Sequence, residues 1–366
     1  MSKAAELAKM GEVLTNGQIG GRRNIIINGA MNVAQRATSA TGLGASDGVH
    51  TCDRWETQHS SAGRFTMTQT ADGPIGISAN CIKLDCTTAD GSIAAGEYLN
   101  LMQKIEGQDL QGIGKGLSGA KEITISFYVK ASAVFTFGVE LKDDDNSRQI
   151  TKLFATTTDW VRHSFVIAAD PDDGSSPFDD DNATSMKMSF WLHSGSTYAG
   201  GTLNTAAFAD VTSANRAAGI SSFYSSTDNE FFLTGVQMEI GSQATPFENR
   251  SFGEELALCQ RYYQKWLSNT AADSVHSGGC ISDTSFIGDY FLRTTMRNEP
   301  TLVSSGTFKV RLGGNDRALT AGPAINRATK DNVQIISTIA DNNENGTPGF
   351  LKTDDNDGYL EFIAEL

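Results

Sequence analysis

Phe231-Phe232-Leu233-Thr234-Gly235-Val236-Gln237-Met238-Glu239-Ile240 (FFLTGVQMEI) is dominated by aromatic, branched and aliphatic side chains. So short an apolar run fits a strand buried in a sheet better than a helix. Working outward, the same grammar recurs. Phe65–Gln69 and Cys81–Cys86 alternate apolar and polar residues at period two. Ile123–Lys130, Val134–Leu141, Trp160–Ile167 and Met186–Leu192 are similarly rich in branched and aromatic residues. Turn-forming residues separate these runs, and no long helical pattern intervenes. One wet face and one dry face per strand predict an antiparallel β-sandwich over residues 23–250, of jelly-roll form because the strands are many and the loops long.

The composition agrees. In 366 residues there are 37 glycines, seven prolines and only 20% charged side chains, which suits short strands joined by turns. The net charge of −14 repels phosphate backbones and anionic lipid, so neither nucleic acid nor a membrane surface is an expected partner. No apolar run reaches the roughly 20 residues that cross a bilayer, and MSKAAELAKMGEVL has no apolar core of a secretory signal, so synthesis in a cytosol is expected. The five cysteines (Cys52, Cys81, Cys86, Cys259, Cys280) are widely spaced without a CxxC pair and read as buried free thiols.

Outside the sandwich the period changes. Residues 2–14 form an amphipathic helical pattern with Leu7, Met10 and Leu14 on one face, followed by a glycine-rich joint to residue 22. A helix so short needs a partner surface, and these three residues are the candidates for docking it. Ser251-Phe252-Gly253-Glu254 is a capping box that opens a linking helix over 251–268, running to about Trp266. Its Leu256, Cys259, Tyr263 and Trp266 continue a 4, 3, 4, 3 spacing from Phe252, the seam of a short coiled coil, which makes them the candidate oligomer interface. Strand patterns then return at Thr284–Gly288, Tyr290–Thr294, Thr307–Leu312, Val333–Ser337 and Gly358–Ala364, a second, smaller β domain over 269–366.

Chemistry-bearing motifs are sparse. Gly114-Lys115-Gly116-Leu117-Ser118-Gly119 matches G-x-G-x-x-G, but the next element is a strand, so no helix terminus would receive a pyrophosphate. Asp143–Ser147 and Asp354–Gly358 cluster oxygen donors as calcium loops do, without the distal glutamate of an EF-hand; calcium is the one cofactor these loops suggest, and no other cofactor or metal is expected. The five histidines lack paired-ligand spacing and no G-x-S-x-G elbow occurs, so a binding protein is expected rather than an enzyme. The candidates for glycan binding are Trp191, His193, Tyr198, Phe223 and Tyr224, aromatic rings in or beside loops rich in Gly, Ser, Thr and Asn.

Asn24–Arg36 (NIIINGAMNVAQR), followed by Thr51-Cys52-Asp53-Arg54-Trp55, resembles the start of phage virion appendage proteins of the tail-fibre type. The segment Phe232–Glu248 with Ser251–Tyr263 is similar to the carbohydrate-binding-module-like sandwich and junction helix of phage fibre proteins. The resemblance implies a virion component assembled in the host bacterial cytoplasm, commonly a homotrimer, attached to tail or capsid proteins and adsorbing to host surface glycan. A head fibre or capsid decoration without a receptor role is the alternative it leaves open, and a polysaccharide depolymerase the third. Asp53-Arg54-Trp55 and Gln237-Met238-Glu239 are expected to build the scaffold rather than to touch ligand.

Overall fold

The computed structural model describes Lys3 and residues 22–171, 176–340 and 345–366. The chain separates into two compact units, one extending to Glu255 and including Leu366, the other Leu256–Glu365. The expected docking residues Leu7, Met10 and Leu14 lie outside the described residues.

The first unit is an antiparallel sandwich. Its strands among the described residues are β1 (Ser39–Leu43), β2 (Gly48–Val49), β3 (Glu56–Ser60), β4 (Arg64–Thr70), β5 (Cys81–Thr88), β6 (Tyr98–Glu106) and β7 (Ile123–Ala131). They continue with β8 (Thr136–Asp143), β9 (Arg148–Ala155), β10 (Val161–Ile167), β11 (Thr184–Ser194), β12 (Ala209–Asp210) and β13 (Glu230–Ile240). One sheet has the order β1-β4-β5-β13-β7-β10, the other β12-β9-β8-β11-β6-β3-β2. The opening decapeptide is β13, central in the first sheet between β5 and β7, which is why nine of its ten residues are buried. Between the sheets lie Phe65, Leu84, Leu101, Phe127, Phe137, Phe190, Phe231 and Leu233. Alternate residues of β11 (Met186, Met188, Phe190) enter this core, which follows from the two-residue period of a strand.

Asn24–Asn28 forms no regular strand. Asparagine side chains replace the ladder there. Asn24 Nδ2 donates to the Val236 carbonyl at 3.0 Å, and its Oδ1 accepts from Met238 N at 3.0 Å. Asn28, at φ +56°, donates through Nδ2 to Val33 and Asp53 carbonyls, and its own carbonyl accepts from Trp55 Nε1. Trp55 is fully buried, and Glu239 accepts hydrogen bonds from Thr245 N and Gln237 Nε2. Both motifs are scaffold, as expected.

The capping box forms: Ser251 Oγ accepts from Glu254 N at 3.3 Å, and the Glu254 carboxylate accepts from Ser251 N at 3.0 Å. The helix it opens, Phe252–Gln260, stops six residues before the expected end. Gln264 Nε2 donates to the Gln260 carbonyl, one of the last acceptors of the helix, and the chain turns into β14 (Tyr263–Leu267). This corrects the expected oligomer seam. Tyr263 and Trp266 are strand residues paired with Ile363 and Leu360, and Cys259 and Tyr263 are fully buried within the single chain. Leu256 and Cys259 remain on the helix, with Leu256 half-buried. Spacings of three and four fit a helix, but the interval from Cys259 to Tyr263 spans a turn.

The second unit continues with β15 (Ser274–Cys280), β16 (Ser285–Phe291), β17 (Thr301–Ser305), β18 (Phe308–Leu312), β19 (Asn315–Ala328), β20 (Asn332–Ile339), β21 (Pro348–Thr353) and β22 (Tyr359–Ile363). Six of them close a barrel in the order β15-β16-β20-β19-β18-β21, beside a β14-β22-β17 sheet. Phe286, Val310, Leu312, Val333, Ile335 and Leu351 fill its interior. The polar β19 gave no strand signal in the sequence; it pairs with β20 through three register irregularities.

Candidate functional site

The outer face of the seven-stranded sheet carries the most developed constellation of aromatic and charged groups. On β8, Glu140 points away from the core and is fully buried. It accepts from Arg216 Nε at 2.8 Å and Nη2 at 2.7 Å, and from Trp191 Nε1 at 3.0 Å. Burial works against the Arg216 charge, but the Glu140 carboxylate more than offsets it and raises the guanidinium pKa. The guanidinium lies 4.8 Å from the Trp191 ring centroid, a cation–π geometry. Tyr198, from the one-turn helix Ser196–Ala199, packs 5.3 Å from Trp191 and edge-on to Tyr98 at 5.4 Å. Tyr98 and Tyr198 are both half-buried, so this patch offers aromatic edges to solvent on a rigid sheet.

The five residues expected to stack on sugar separate into two groups. Trp191 and Tyr198 belong to this patch, although Trp191 is only 1% exposed and supports the tyrosines rather than presenting its own face. His193, Phe223 and Tyr224 are also buried, at 0%, 1% and 0% exposure, and a ring without an exposed face cannot stack on a sugar; for these three the expectation is corrected. Tyr98 and Arg216 were missed. Tyr98 opens the strand Tyr98-Leu99-Asn100-Leu101-Met102, whose alternation was the signal available for it.

His193 is two residues after Trp191, so a regular strand would place both on one face. A bulge between them shifts the register: Trp191 pairs with Asn100, His193 with Leu99, a core residue. His193 therefore turns to the end of the sandwich, 5.1 Å from the Tyr224 ring, with Nδ1 2.8 Å from Ser222 Oγ. Desolvation lowers its pKa to about 4, so the imidazole is neutral at physiological pH. Asp90, after β5, and Glu97, before β6, each bring a carboxylate oxygen within 4.8 Å of a His193 ring nitrogen, with Glu97 3.6 Å from Nε2.

The expected calcium loops hold their carboxylates differently. Asp143 is paired with buried Lys115 at 2.7 Å, and Asp144 with Lys187 at 2.8 Å. Asp354 is paired with Lys309 at 2.6 Å. Lys115, from the glycine-rich loop, therefore serves an internal ion pair, and the loop leads into β7. All five cysteines are buried and free. In the barrel, a cleft of about 660 Å³ is lined by His276, Asp289, Tyr290, Phe291, Arg293 and Gln334 among others.

No protein-family model matches the chain, and no curated protein matches it. Among solved structures, similar ones include a CBM4 carbohydrate-binding module at 14% identity, covering 58% of this chain and 97% of its own, with a TM-score of 0.30. A family 11 carbohydrate-binding module from Clostridium thermocellum, in complex with a β-1,3-1,4-mixed-linked tetrasaccharide, is 12% identical over 57% of this chain and 99% of its own (TM-score 0.27). CBM61 in complex with β-1,4-galactotriose is 8% identical over 60% and 99% (TM-score 0.29). The sandwich assignment rests on the strand order and registers above, not on these likenesses.

Proposed function

We propose that this chain is a glycan-binding virion appendage protein, a homotrimeric fibre or related attachment that adsorbs to host surface glycan through its sandwich, without turning the glycan over. The observation that carries the binding reading is the pair of half-exposed tyrosines, Tyr98 and Tyr198, backed by Trp191 and flanked by the Arg216 guanidinium. Sugar rings present C–H faces that pack on aromatic surface, while hydroxyls need fixed polar partners, and this patch supplies both from a rigid sheet. The phage and trimer components are supported by the sequence resemblance at Asn24–Arg36, Thr51–Trp55 and Phe232–Tyr263. A single site of this kind binds weakly, and repetition on a particle raises effective concentration.

Purified protein applied to a glycan panel that includes host envelope polysaccharide tests the reading. Binding is expected for the wild type, with at least a tenfold loss (about 1.4 kcal/mol) in the Tyr98→Ala/Tyr198→Ala double variant. Wild-type affinity in the double variant would remove the patch from the argument, absence of binding to every glycan would remove the function, and release of reducing ends would make the chain an enzyme.

A further inference from the structure

We propose that Asp90, Glu97 and His193 form a binding site for a divalent ion of the zinc class, at the end of the sandwich where the β5–β6 connection meets β11. One donor atom from each residue lies within 4.8 Å of the other two. His193 Nε2 is 3.6 Å from a Glu97 carboxylate oxygen. Two donors on a zinc ion with bonds near 2.1 Å sit roughly 3.4 Å apart at the tetrahedral angle, so that edge is already close to its bound length.

The histidine points to an ion independently of the acids. It is completely buried, yet its Nε2 makes no hydrogen bond. A buried polar nitrogen left unpaired costs stability, and a metal ion is one partner that satisfies it. Its Nδ1 faces Ser222 Oγ at 2.8 Å; a proton on Nδ1 donated to that hydroxyl leaves the Nε2 lone pair directed at the carboxylates. The neutral imidazole, held so by burial, is the ligating form.

Both carboxylates are held in place by hydrogen bonds. Asp90 Oδ2 accepts from Ser61 Oγ at 2.7 Å and Ala62 N at 3.2 Å, and its Oδ1 from Ser92 N at 3.1 Å. Glu97 accepts from Ala94 N at 3.0 Å. Two acids held so close repel when both are charged. A cation relieves that repulsion; a proton shared by the two acids is the competing occupant. One nitrogen and two carboxylate donors suit zinc, cobalt or nickel rather than calcium, which prefers an all-oxygen shell. Residues 91–96, which join the two acids in the chain, are exposed, and a water could complete the shell. The ion would clamp the loop that carries Tyr98, but the site stands whether or not that tyrosine binds glycan.

Full-length protein stripped with chelator and titrated calorimetrically with Zn²⁺ alone, and spectroscopically with Co²⁺ alone, tests the site. One ion per chain is expected, with visible Co²⁺ absorption and a chelator-reversible rise in Tm. Binding should weaken at least 100-fold in His193→Gln and at least tenfold in Glu97→Gln. Because Glu97 is on the rim, the Glu97→Gln protein is expected to keep the wild-type Tm in chelator, which separates lost binding from lost fold. No stoichiometric binding by the wild type overturns the proposal. So does binding that both variants retain, or an ion site that takes Ca²⁺ equally well with and without His193.

Discussion

The barrel and the sandwich solve the same problem, closing β-sheets around a core, with different uses of polar residues. In the barrel, β20 reads half-buried and buried in strict alternation over all eight residues, and its four buried residues are Val333, Ile335, Ser337 and Ile339, three of them aliphatic. In the sandwich, the outward face of the seven-stranded sheet is itself largely covered. Glu140 and Thr151 are on or beside that face, buried, and hydrogen-bonded to Arg216. A covered face cannot be closed with aliphatic residues alone if loops with their own backbone polar groups lie over it, so ion pairs and side-chain hydrogen bonds appear there. The lesson is that the regular unit is held by volume and the covered face by geometry.

That contrast is most sharply broken by removing Glu140. Glu140→Ala leaves the Arg216 guanidinium and the Trp191 N–H without their acceptor, and breaking a buried pair on one side costs about 3–5 kcal/mol. The expected result is a lower Tm for the sandwich, followed by hydrogen exchange, with the barrel amides unchanged. A smaller or absent loss would mean that water replaces the carboxylate and that the face is wetter than its burial implies. In the barrel, Leu351→Ala removes a fully buried aliphatic side chain and should cost about 2–5 kcal/mol, depending on how far the cavity collapses. Here the barrel amides should lose protection and the sandwich amides keep theirs. The smallest effect is expected between them: Ser251→Ala deletes the hydroxyl that caps Glu254 N and should cost about 1 kcal/mol, read as fraying of the Phe252–Gln260 helix. A loss above that size would give the cap a role beyond its own helix.

The legibility of the chain follows the same division. β13, β5 and β7 were readable because their residue types and period leave one solution. The barrel strand β19 was not, because its residues are small and polar and its pairing slips three times. Of the candidate site, Trp191 and Tyr198 were found from their chemistry, and Tyr98 and Arg216 were not. Arg216 is 76 residues from Glu140 in the chain, and no local pattern announces a pairing over that distance. His193 was singled out in the sequence for a different chemistry. As an aromatic ring it was expected beside Trp191, and the bulge turned it towards two carboxylates instead.

The sequence by itself determined the β class, the helix start at Ser251, the free thiols and the acidic surface, because each depends on residue type or on neighbours a few positions apart. Only the tertiary structure decided where the helix from Phe252 stops, which aromatic rings keep an exposed edge, and which carboxylates meet His193. Those outcomes depend on register and on loops packed across a sheet face, where one extra residue in a strand reverses the direction of every side chain that follows.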